Sequence, residues 1–126
     1  MRVLLVGYDP KTVDFSDPGL PPGMTAEKIQ AGIEVALKEM ADRGWEADLC
    51  LIQPDATAGQ TIERQLASAT YACVVVGAGV RLPPQRLALF EVVVNAIHKA
   101  APATPIAFNT RPEDSADAAS RWLPMA

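Results

Sequence analysis

Short apolar runs alternate along the chain with longer stretches in which apolar residues recur every three or four positions. Three runs rich in Val, Ile and Leu, Arg2 to Val6, Ala47 to Ile52 and Tyr71 to Val76, read as strands buried on both faces. Thr104 to Phe108 reads as a weaker fourth. Between the first two, Ile29, Ile33, Leu37 and Met40 share one face of a helix from Thr25 to Arg43, and Gly44 stands where a helix-ending glycine belongs. A second helix is expected from Thr57, where Thr57-Ala58-Gly59-Gln60 has the form of a capping box, with Ile62, Leu66 and Ala69 inward. Pro83-Pro84 is expected to open a third helix that runs to about Ala100, and Glu113 to Leu123 gives a fourth.

This βαβαβαβα order predicts a parallel sheet with helices on both faces, because each strand must cross over to reach a parallel neighbour. The expectation is a three-layer α/β/α domain, flavodoxin-like or Rossmann-like, with four strands in the order 2-1-3-4. With 126 residues, residues 1–126 form one domain rather than two. Composition fits, since 49% of residues are hydrophobic and 21% charged. The two cysteines, Cys50 and Cys73, lie inside strand runs and read as small buried hydrophobes rather than a disulfide framework. A net charge of −4 argues against nucleic acid as partner, which needs clustered Lys and Arg. The opening apolar run is too short for a signal peptide or membrane span, so the expectation is a cytoplasmic protein without a membrane partner.

In open α/β sheets ligands settle beyond the carboxyl ends of the strands, where strand order reverses. Here that is the rim after strands 1 and 3. Strand 1 leads into Gly7, Tyr8 and Asp9 and then a loop reaching Gly23, longer than the usual connection of about 2–6 residues. Two readings of that loop stay open: a lid that closes over a ligand, or a proline-stiffened flap over a helix terminus. Strand 3 leads into Gly77-Ala78-Gly79-Val80-Arg81. Gly77 and Gly79 let backbone approach a ligand, and Arg81 offers a planar fork for phosphate or carboxylate. The plainer reading is a tight turn that needs positive φ. Asn109-Thr110-Arg111-Pro112, after strand 4, reads either as a further anion contact through Arg111 or as ordinary turn chemistry, and Asp55, after strand 2, either meets a sugar hydroxyl or, the favoured reading, caps the second helix.

Several chemistries find no residues to carry them. The single histidine, His98, falls near the far end of the third helix, away from the expected rim, which leaves no Ser-His-Asp or Cys-His assembly and no zinc spacing. There is no Walker A sequence, and the Gly-x-Gly after strand 3 is not a dinucleotide fingerprint, since Leu82 holds the third glycine position. Gly77 also stands where a phospho-acceptor receiver domain needs an acid, and Asp9-Pro10-Lys11 replaces the hydroxyl-rich phosphate loop of flavodoxins. The sequence names no cofactor and leaves open whether the protein is an enzyme.

The expected function is binding of a small anionic metabolite, bearing phosphate or carboxylate, by Gly7, Tyr8, Asp9, Gly77, Gly79, Arg81 and Arg111. One alternative is a non-catalytic oligomeric or partner-binding module. Another is a metal-assisted hydrolase or transferase using Asp9 as the candidate catalytic acid. A homodimer through the third helix is also expected: apolar residues cover roughly 220° of its surface, more than one sheet face needs. Leu89, Val92 and Ala96 are then left over for a second copy, unless the fourth helix covers them through Trp122 and Leu123.

Overall fold

The computed structural model describes residues 1–12, 23–81 and 86–123. Four strands, β1 (Arg2–Tyr8), β2 (Glu46–Ile52), β3 (Cys73–Val76) and β4 (Ile106–Phe108), form one sheet in the order β2-β1-β3-β4. Every pairing is parallel. The helices are α1 (Ala26–Asp42), α2 (Ala58–Ser68), α3 (Ala78–Arg81), α4 (Leu87–Ala100) and α5 (Ser115–Ser120). Pro10–Thr12 and Pro112–Asp114 are 3-10 turns. The result is the three-layer α/β/α, flavodoxin- or Rossmann-like architecture with order 2-1-3-4.

Alternation of side chains along the strands divides the core into two layers. Leu4, Val6, Cys50, Ile52, Val74 and Val76 face one side, where Ile62, Leu66, Val93 and Ile97 of α2 and α4 cover them. Val3, Leu5, Cys73 and Val75 face the other, under Ala36 and Met40 of α1 and Ala116, Ala118 and Ala119 of α5. Both thiols are buried, and loss of water pushes each up to about 11, so they pack as hydrophobes. No helix among the described residues is long and apolar enough to cross a membrane.

The ends of α1 follow local chemistry. Thr25 caps its start, its hydroxyl oxygen accepting from Lys28 N at 3.1 Å. Gly44 adopts φ 82° beyond its end, and Gly44 N and Trp45 N donate back to the Ala41 and Met40 carbonyls. That pair of bonds is a Schellman ending, and it requires the left-handed backbone that glycine supplies without a Cβ penalty.

Four expectations need correction. The capping box at Thr57 does not form: Asp55 Oδ1 accepts from Thr57 N at 2.8 Å and from the Thr57 hydroxyl, so an acid two residues earlier fills that role. Those bonds hold the Asp55 carboxyl below its usual range and commit it to the turn. Neither Gly77 nor Gly79 has positive φ. Gly77 is required for closeness instead, since a Cβ there would lie 3.1 Å from the Val6 carbonyl oxygen.

The remaining two corrections concern helices. The fourth helix begins as a 3-10 turn at Pro112–Asp114 and is α-helical only over Ser115–Ser120, on the face of the sheet opposite α4. It therefore leaves α4 uncovered, and Trp122 stands 59% exposed. What lies beside α4 is α2: Ala96 is buried, Leu89 is half-buried, and a Cβ at Gly59 would sit 3.4 Å from Val92 Cγ1. Pro83 and Pro84, expected to open this helix, lie outside the described residues. The flank that suggested a dimer is thus largely taken by a neighbour within the chain, leaving Leu87 and Val92 exposed.

Candidate functional site

The rim where β1 and β3 part is built from three short segments. Gly77 N donates to the Val6 carbonyl at 2.8 Å, which holds the exit of β3 against that of β1. The helix α3 then starts at once, with Val80 buried as its anchor in the core. Gly79 lies against the Tyr8 ring, where a Cβ would come within 3.5 Å of Cδ2. Gly7 sits beside this contact, and a Cβ there would meet nothing within 4 Å among the described residues. Gly7, Tyr8, Gly77, Gly79 and Arg81, chosen from different parts of the chain, are thus gathered around α3.

Two polar atoms in this group are buried without a hydrogen-bond partner among the described residues, Tyr8 Oη and Arg81 Nε. Such groups are uncommon in folded proteins, because each has given up water for nothing in return. Burial raises the Tyr8 phenol above its usual pKa, and the positive charge of Arg86 offsets part of that rise. The Arg86 guanidinium lies over the Tyr8 ring, 5.0 Å from its centroid, and acts on the phenol through both its charge and its hydrogen-bonding pull, although no contact between them reaches full hydrogen-bond geometry. Arg81 sits 5.8 Å from the centroid of the Phe108 ring and donates from Nη2 to the Asn109 carbonyl at 2.9 Å. One corner of its fork is therefore anchored just past the end of β4, while Nε has no partner among the described residues.

Asn109 organises the neighbouring rim and is 2% exposed. Its Oδ1 accepts from Ala78 N at 2.7 Å, at the start of α3, and its Nδ2 donates to Ser115 Oγ at 2.9 Å. The Ser115 hydroxyl donates in turn to the Pro112 carbonyl at 2.7 Å. The side chain of Asn109 is thus used internally, fixing where α3 and Arg81 sit.

Other expected residues fall elsewhere. Arg111 is exposed and begins the 3-10 turn whose Pro112 and Glu113 lean on Gly32 of α1. That turn belongs to the α1 side of the sheet, whereas Tyr8 packs with the α2 and α4 layer. Asp114 accepts from Thr110 N and the Thr110 hydroxyl; burial raises its carboxyl, but these bonds outweigh burial and hold it below its usual range. Asp9 accepts from Lys11 N at 3.0 Å, and its own N–H continues the β1 ladder to the Ile52 carbonyl at 3.1 Å. Among the described residues no three His, Cys, Asp or Glu side chains are grouped to hold a metal ion. Residues 13–22 of the loop read as lid or flap lie outside the described residues. Arg86 escaped the sequence reading because a lone cation between a proline pair and a helix carries no periodic signal.

No known family, no curated protein and no solved structure matches this chain.

Proposed function

We propose that the protein binds a small anionic metabolite, carrying phosphate or carboxylate, at the rim around α3. The observation that carries this reading is the pair of buried polar atoms, Tyr8 Oη and Arg81 Nε, that meet no full hydrogen-bond partner among the described residues on one short stretch of rim. Both can donate, and an anion's oxygens only accept. Arg86 adds a second positive charge against Tyr8, and among the described residues nothing fills the space a side chain at Gly7 would take. The position agrees with the general placement of ligands at the strand-order reversal of parallel sheets. The anion would be held by charge-assisted bonds from the two guanidinium groups, with the phenol as a third donor.

Thermal-shift titration with inorganic phosphate, sugar phosphates, nucleotides and carboxylic acids tests it. A ligand that binds only the folded chain raises the melting temperature with concentration. Arg86→Ala should weaken that ligand by about 1.5–3 kcal/mol, the worth of a hydrogen bond to a charged group. A panel that moves neither protein, or both equally, refutes the assignment.

A further inference from the structure

The two edges of the sheet are finished differently. At the β4 edge the strand has three residues and follows Pro105. Val74 N donates to the Pro105 carbonyl and Asn109 N to the Val76 carbonyl, so Pro105, Ala107 and Asn109 turn their backbone groups toward β3. Ile106 and Phe108 turn theirs outward, and the outward Phe108 carbonyl accepts from Arg121 Nη2 at 2.9 Å. A short strand, a proline and a capped carbonyl are the usual means of keeping an edge from pairing.

Among the described residues, the β2 edge has none of these. It runs seven residues in unbroken register with β1, Arg2↔Glu46 to Tyr8↔Ile52, without Pro, Lys or bulge. Glu46 N donates to the Met1 carbonyl and the Ile52 carbonyl accepts from Asp9 N, so the even-numbered residues face β1. Ala47, Leu49 and Leu51 therefore turn their N–H and C=O groups outward, and none of the three is fully buried. The two acids on this strand do little to guard it, because Arg2 pairs with both, at 2.7 Å to Glu46 and 2.9 Å to Asp48.

We propose that β2 pairs antiparallel with β2 of a second copy about a two-fold axis at Leu49, joining two sheets into one of eight strands. The partner is a second copy because the strand is complementary to itself. In this register the outward groups meet as hydrogen-bonded pairs, Leu49 with Leu49 and Ala47 with Leu51 on either side. Asp48 comes opposite Cys50 and Glu46 opposite Ile52, so no carboxylate faces another across the axis.

Amide hydrogen exchange on the unaltered chain, read alongside sedimentation velocity, tests the pairing. A dimer is expected at tens of micromolar, with the Ala47, Leu49 and Leu51 amides protected and losing protection on dilution to monomer. Leu49→Pro, a change tolerated on an edge whose N–H points outward, should weaken the dimer by about 100-fold. Val92→Glu on α4 should leave it intact. A chain that stays monomeric at hundreds of micromolar overturns the proposal, as does a dimer in which those three amides exchange freely or which Val92→Glu dissolves.

Discussion

Two tyrosines stand at opposite ends of the sheet, and burial raises the phenol of each. At the amino end, Tyr71 Oη donates to Asp48 Oδ2 at 2.7 Å and accepts from Gln65 Nε2 at 2.7 Å. Arg2 completes the group by donating to the same carboxylate at 2.9 Å. At the carboxyl end, Tyr8 Oη is buried with no partner at full hydrogen-bond geometry among the described residues. The same side chain is thus finished at one end and left unfinished at the other. A finished network fixes the fold, while an unfinished one costs stability that a ligand can return. That difference supports the proposed binding at the carboxyl end on physical grounds independent of the general rule for parallel sheets.

The largest expected effect comes from the residue that holds the unfinished rim in shape. Asn109→Ala strands Ala78 N–H and breaks the link to Ser115, and should cost about 2–3 kcal/mol in chemical denaturation. A loss below 0.5 kcal/mol, roughly that of an ordinary surface substitution, would mean the rim is not built around Asn109.

The tyrosines themselves come next. Tyr71→Phe should destabilise by about 1–2 kcal/mol, held to that range because Asp48 is partly open to water. Tyr8→Phe removes a hydroxyl that makes no full hydrogen bond among the described residues, so unfolding free energy should stay level or rise. Equal losses from the two would erase the contrast between the ends.

The smallest effect lies in pH dependence. The hydrogen bond from Tyr71, and after it that from Arg2, hold the Asp48 carboxyl below its usual range. A lowered folded pKa adds stability that is complete above the unfolded carboxylate value of about 3.9 and is lost as pH falls through the folded one. Melting temperatures of the native chain should therefore drop on acidification below about pH 4 more than those of Tyr71→Phe. Parallel acid profiles would show that the network contributes nothing through Asp48.

The strands were legible because double-sided burial demands continuous apolar runs, and the ends of α1 because Thr25 and Gly44 act through their own backbone. The gathering of Gly7, Tyr8, Gly77, Gly79 and Arg81 followed from parallel topology alone. What escaped depends on contacts between distant segments. The absence of a side chain at Gly59 lets α2 lie against Val92, which periodicity within α4 cannot reveal. Arg111 looked like Arg81 in sequence, yet its turn belongs with α1 on the other face.

The most direct test of the central claim is to follow backbone amide resonances while the anion that gives the largest thermal shift is added. Ligand binding at the unfinished rim predicts saturable shifts at Gly7, Tyr8, Gly77, Gly79, Arg81 and Arg86, with Ala72 and Asp48 at the amino end unmoved. Shifts confined to the amino end or to the Arg111 turn, or none up to millimolar ligand, roughly the weakest affinity worth calling specific, would contradict it.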